Sequence, residues 1–145
     1  MTTLGVFRDD FYNPIGTLPM MKYTTTSQAS GTLAATALAG ATECYVSQSG
    51  ATALTTDTAV NIIAALVAAI QANANGAFPL PNIQNVTYTL YIRNTNASTL
   101  TVSAGTGVTI TGTATLATAV ERQFMVTVTS PTTVTLQDLG GSTLQ

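Results

Sequence analysis

VTYTLYIRNTNASTLTVSAGTGVTITGTATLATAVERQFMVTVTSPTTVTL, residues 86–136, decides the fold. Val86, Tyr88, Leu90 and Ile92 alternate with Thr87, Thr89, Tyr91 and Arg93, a period of two that turns one side of a strand to a core and the other outward. The phase recurs at Leu100 and Val102, at Val108 and Ile110, at Phe124, Val126 and Val128, and at Val134 and Leu136. Turn chemistry divides these runs: Asn94 to Asn96, Ala104 to Gly107, Gly112, and Ser130-Pro131. Gly105-Thr106-Gly107 lacks the lysine and the helix of a phosphate loop and reads as a hairpin turn. Glu121-Arg122 reads as a polar turn before a strand over 123–129.

Upstream, Glu43 to Val46 predicts a strand near 41–48, closed by the turn cluster Ser47 to Gly50. Thr55 to Thr58 then supplies a cap and, in Asp57, an acid for the positive end of a helix. Val60, Ile63, Val67 and Ile70 fall at helical spacing, with Ile62 and Leu66 widening the stripe, so one buried helix is expected over about 57–73. Asn75-Gly76 ends it, and Pro79 and Pro81 prevent its restart. The expected fold is mainly β: a β-sandwich or jelly-roll-like barrel with that helix and an extended N-terminal arm. The expected divisions are an arm and linker over 1–30, the β domain over 31–139, and a loose tail over 140–145.

The arm has a chemistry of its own. Phe7, Arg8, Asp9, Asp10, Phe11, Tyr12, Met20, Met21 and Tyr23 share no helical or strand period, and Pro14, Gly16 and Pro19 exclude a regular helix. Aromatic and Met side chains are what interface cores prefer, so these residues are candidates for gripping a partner, or for folding back over their own core.

Composition narrows the function. Charged residues make up 7% of the 145, against roughly 25% in an average soluble domain, and the formal net charge is −2. About 30 threonines, with Ser, Asn and Gln, cover the surface instead. A free monomer uses charge to stay soluble and to keep sheet edges apart, so this chain reads as one covered by neighbours. Four basic residues are too few to track phosphates, which argues against nucleic acid as a partner.

Histidine is absent, which removes the usual general base and the commonest metal ligand, and Cys44 stands alone. No cofactor or metal is expected, and Cys44 reads as a small apolar side chain in a strand. Six carboxylates remain: Asp9, Asp10, Glu43, Asp57, Glu121 and Asp138. Neighbours such as Asp9 and Asp10 point to opposite sides of an extended chain, so no acid–base pair is read and no enzyme is expected. Asn85-Val86-Thr87 and Asn96-Ala97-Ser98 match the glycosylation triplet, a frequent accident in a Thr-rich chain. Met1 to Phe11 shows no basic run leading into an apolar stretch, so synthesis and retention in a cytoplasm are expected. Ala59 to Ile70 is shorter than the ~20 residues of a membrane span, so no membrane partner is expected.

TTDTAVNIIAALVAA, residues 55–69, leads through a loop into residues 89–136. With "IRNT" at Ile92 to Thr95, "AGTGVTITGT" at Ala104 to Thr113, and Arg122, Phe124 and Val126 in a final strand pair, this stretch resembles the capsid decoration, cement and head-fibre proteins of tailed bacteriophages. The resemblance covers about two thirds of the chain and omits the arm. It implies a virion protein on the capsid exterior, made in a bacterial host, that binds the major capsid protein and forms homo-oligomers, trimers or dimers. The alternative is a head or tail fibre, or an adhesive knob, that binds a host surface ligand through its loops.

Overall fold

The computed structural model describes residues 23–26, 30–39, 43–46, 52–73 and 83–143. The chain is mainly β, and its described residues form two sheets and two helices. Its strands are β1 (Tyr23–Thr26), β2 (Ser30–Leu33), β3 (Glu43–Val46), β4 (Thr52–Thr56), β5 (Thr87–Asn94), β6 (Leu100–Ser103), β7 (Val108–Thr111), β8 (Thr115–Leu116), β9 (Val120–Ser130) and β10 (Thr133–Thr143). Helix α1 (Ala35–Leu38) follows β2, and α2 (Ala59–Asn73) follows β4.

From β1 to β9 successive strands alternate between the sheets. The first sheet has the order β1-β3-β5-β9-β10-β7 and the second β2-β4-β6-β8. β1, β3 and β5 are mutually parallel, as are β2, β4 and β6. The chain therefore winds three times through the same path: a strand in the first sheet, a corner, then a strand in the second. The first two windings return through a helix. Register is exact between the second and third windings, since 48 residues separate Glu43 from its partner Tyr91 and also Thr52 from its partner Leu100. The helix α2 is thus accommodated outside the strands it separates. β9 and β10 then close the first sheet as an antiparallel hairpin, with β9 also antiparallel to β5.

One core unites these layers. Leu90, Ile92, Phe124, Val126, Val134 and Leu136 of the first sheet cluster with Leu33, Leu54, Leu100 and Leu116 of the second and with Leu38, Ile62 and Leu66 of the helices. Each such side chain contributes about 1.5–3 kcal/mol through burial. The expected alternation is present strand by strand, and the layered architecture rather than a closed barrel is what it builds.

Several local expectations are corrected. The Gly105 turn is no hairpin: β6 and β7 lie in different sheets, and this segment is the corner between them. Glycine is required there because a Cβ on Gly105 would overlap the Thr56 and Asp57 carbonyls, and one on Gly107, at φ +77°, would overlap the Thr132 carbonyl. Glu121 and Arg122 lie within β9, paired with Arg93 and Ile92 of β5. Tyr23–Thr26 and Ser30 are strand rather than arm and linker, because β3 and β4 offer them parallel edges. Residues 140–143 are strand rather than loose tail, paired with Val120 to Gln123 of β9.

The buried face of the helix keeps Ile62, Leu66 and Ile70 as expected but is rotated away from Val60, leaving Ile63 and Val67 half-buried. Ala59, Ile62, Leu66 and Ile70 are buried, while Val60 is 53% exposed. Anchoring at the first turn decides this: the Ala59 amide donates to the Thr106 carbonyl at 2.9 Å, holding Ala59 against the β6–β7 corner.

Asn94 is the one polar residue in the inward row of β5, and it is fully buried. Its Nδ2 lies 2.7 Å from the Ser98 carbonyl, 3.0 Å from that of Leu116 and 3.1 Å from that of Ala117, and its Oδ1 accepts the Asn96 amide at 3.0 Å. A residue of the first sheet thereby ties down the end of β8 in the second. Replacing Asn94 by Ala strands these groups, and we expect a loss of about 2–4 kcal/mol in urea unfolding. Phe124→Ala should cost about 3–5 kcal/mol in the same measurement, whereas Thr101→Ala, on an exposed position, should stay within about 0.5 kcal/mol of the parent.

Candidate functional site

Of the residues expected to grip a partner, Phe7, Arg8, Asp9, Asp10, Phe11, Tyr12, Met20 and Met21 lie outside the described residues. Tyr23 opens β1, its backbone in register with Glu43. Cys44 sits within β3, opposite Ile92, as expected of a strand residue.

The carboxylates whose side chains are described serve three separate structural purposes. Asp57 Oδ1 accepts the Thr58 amide at 2.7 Å and Asn61 Nδ2 at 2.8 Å, and Oδ2 accepts the Ala35 amide at 3.3 Å. Thr58 Oγ1 accepts the Asn61 amide at 3.3 Å and so caps α2, as its sequence predicts. The Asn61 amide above all, then the two backbone N–H groups, outweigh burial and hold the Asp57 carboxyl below its ordinary range. Glu121 faces Arg93 across the β5–β9 pair at 2.7 Å. Asp138 meets Arg122 at 2.7 Å. No group of three or more His, Cys, Asp or Glu side chains comes together among the described residues.

Asp138 is a clamp. Besides Arg122, its Oδ2 takes the Thr113 amide at 3.1 Å and its Oδ1 the Gly140 amide at 2.9 Å. It therefore joins the exit from β7 to the irregularity in β10, where the register with β9 shifts between Asp138 and Gly140. Burial opposes its ionisation, but the hydrogen bonds from Arg122, Gly140 and Thr113 and the charge of Arg122 overcome that and set the carboxyl below its ordinary value. Burial pushes the Tyr88 phenol up, so it stays a donor, bonded to the Leu38 carbonyl at 2.7 Å.

The outward faces of the sheets carry almost no charge. The second sheet presents Thr32, Ala53, Thr55, Thr101, Ser103 and Thr115. Thr32, Thr55 and Ser103 fall into one row across its strands, a flat hydroxyl-bearing array. The first sheet presents Thr89, Tyr91, Gln123, Met125, Thr127 and Thr135, all half-buried. Arg93 and Glu121 are the only charges at the outward positions whose side chains are described, and they neutralise each other, while Glu43 of β3 lies in register with Tyr91 of the same row.

Loop tips contribute less. Asn94 and Asn96 are buried at 0% and 1% exposure, which also withdraws Asn96 from modification in the folded chain, whereas Asn85 is exposed. A depression of about 280 Å³ lies on the first sheet, lined by Tyr91, Glu121, Gln123, Leu139, Gly140, Gly141 and Ser142. Its β10 side was hidden in the sequence, where Gly140-Gly141 reads as a chain coming loose. No helix of the described residues is long and apolar enough to cross a membrane.

Asp57 and Asp138 ionise more readily in the folded chain than in the unfolded one. Their contribution to stability is complete above the unfolded carboxyl range near pH 4 and is lost as pH falls through their lower folded values. Urea midpoints should therefore drop between about pH 5 and pH 2. Asp138→Asn should lower the unfolding free energy at pH 7 by about 2–3 kcal/mol and flatten that acid dependence; a variant with the parent's acid profile would show that the clamp is not its source.

Comparison with protein-family models, with curated proteins and with solved structures finds no match to this chain.

Proposed function

We propose that this chain is a structural virion protein that binds the outer surface of a bacteriophage capsid and stabilises the shell by bridging major capsid protein subunits. The supporting observation is the character of its sheet faces. Among the described side chains, two broad outward surfaces bear hydroxyls, amides and a few half-buried large groups, and their one ion pair, Arg93–Glu121, is closed. Such faces suit burial against neighbours, because little charge has to be stripped of water. The arm adds anchors of the kind that dominate interface energetics, and the resemblance of residues 55–69 and 89–136 to decoration and cement proteins points the same way.

No chemical step enters this reading. A ligand that binds only the assembled shell lowers the free energy of that state by mass action, and many modest contacts add over a lattice. The fibre or knob alternative relies on recognition by loops, and the buried Asn94 and Asn96 leave the β5–β6 loop little to offer.

Mixed with particles of its own phage, the full chain should sediment with them and raise the temperature at which they release DNA. Deleting residues 1–22, which leaves β1 intact, should preserve the folded far-ultraviolet spectrum and abolish co-sedimentation. Full binding by the truncated chain would remove the arm's role, and a full-length chain that stays in the supernatant would remove the capsid as partner.

A further inference from the structure

The first sheet ends unevenly. β7 pairs with the outer edge of β10 from Val134 to Gln137. β10 continues to Thr143, its other edge paired with β9 as far as Val120. After β7 the chain is drawn off this edge at Thr113, whose amide goes to Asp138. Among the described residues no strand covers the outer edge of Leu139–Thr143.

Unpaired strand edges are templates for another strand, and soluble proteins guard them with lysine, proline or inward-pointing charge. Leu139-Gly140-Gly141-Ser142-Thr143 has none of these. Beside it lies the 280 Å³ depression, with Leu139, 49% exposed, on its rim. A Cβ placed on Gly140 would meet nothing within 4 Å, so the edge leaves room for side chains brought by an incoming strand.

We propose that Leu139–Thr143 is a self-association edge on which a second copy of this chain pairs antiparallel through the same residues, each Leu139 lying over the other copy's depression. The edge supplies both an apolar projection and a hollow, the requirement for a two-fold contact in which one patch meets itself. Charge agrees with a second copy: the segment is neutral, and Glu121 in the hollow is already paired with Arg93, so two identical edges meet without repulsion. A strongly basic or acidic strand would find no free counter-charge there. Five strand residues span about 17 Å, and a contact that short buries well under the roughly 800 Å² per partner of a standard interface. The dimer is consequently weak in free solution, in the micromolar range or above, and gains strength where copies are held side by side. This deepens the structural-module reading by giving the self-partner its edge, yet its test needs no virus particle.

Sedimentation equilibrium of the full chain from low to high micromolar concentration should show a reversible monomer–dimer step. Leu139→Lys should weaken it roughly tenfold or more while leaving the far-ultraviolet spectrum and the melting temperature in place. In a Cys44→Ala background, Ser142→Cys should give a covalent dimer with a short bismaleimide, and Thr101→Cys, on the exposed face of the second sheet, should not. A chain that stays monomeric at every concentration, or an association that Leu139→Lys leaves unchanged, overturns the proposal. If that substitution disturbs the fold, the cross-linking comparison decides, and equal yields at both positions overturn the proposal too.

Discussion

Main-chain pairing between successive windings is the constraint on which this molecule depends. A four-residue strand such as β2 or β6 buries only one or two large side chains and has no independent stability. It becomes stable when its amides and carbonyls find the same segment of the next winding, in parallel and in register. The pairing continues beyond the strands: the Asp57 amide donates to the Leu33 carbonyl at 3.0 Å, and the Gly105 amide to Thr56 Oγ1 at 2.8 Å. The exits from β2, β4 and β6 are therefore stacked as the strands are. Gly105 and Gly107 belong to this requirement, since backbone from the neighbouring elements occupies the space where a side chain would sit.

The same geometry explains the surface. Register places chemically similar residues above one another, so the Thr and Ser positions of β2, β4 and β6 become rows, and a face built of such rows has little need of charge once it is covered. Charges are spent where the repeating pattern ends. Arg122 and Asp138 close the inward row of the first sheet beyond Phe124 and Leu136, and Asn94 does the same for β5. Each of these three inward-row polar residues is hydrogen-bonded to groups from other elements, the condition under which a polar side chain is tolerated at the rim of a core.

How much of this was legible in the sequence follows from what a period of two reports. Alternation at Tyr88, Leu90 and Ile92, or at Phe124, Val126 and Val128, tells which side chains are inward, and those residues are buried. It does not tell which strand lies alongside. Val102 and Val108 flank a Gly-containing segment that looks like a hairpin, and only the tertiary structure reveals that they belong to different sheets. The helix shows the same limit, because α2 is apolar on most sides and its sequence permits more than one buried stripe. The contact of Ala59 with Thr106, which lies 47 residues along the chain, selects among them. The edge and hollow at Leu139 to Ser142 are products of uneven strand lengths, a property of pairing that no local pattern encodes. The arm residues from Phe7 to Met21 remain an assignment of sequence chemistry alone.

The order of strands in the first sheet has a temporal side. Synthesis runs from β1 toward β10, yet the middle of that sheet is β5 and β9, and β1 and β3 are added outside them. A ribosome thus delivers the periphery before the centre. For more than half the length of translation the early windings have no long antiparallel partner to rest on, and their short strands must wait in an open state. Such a chain completes its fold late and nearly at once, when the β9–β10 hairpin emerges and gives β5 its second neighbour.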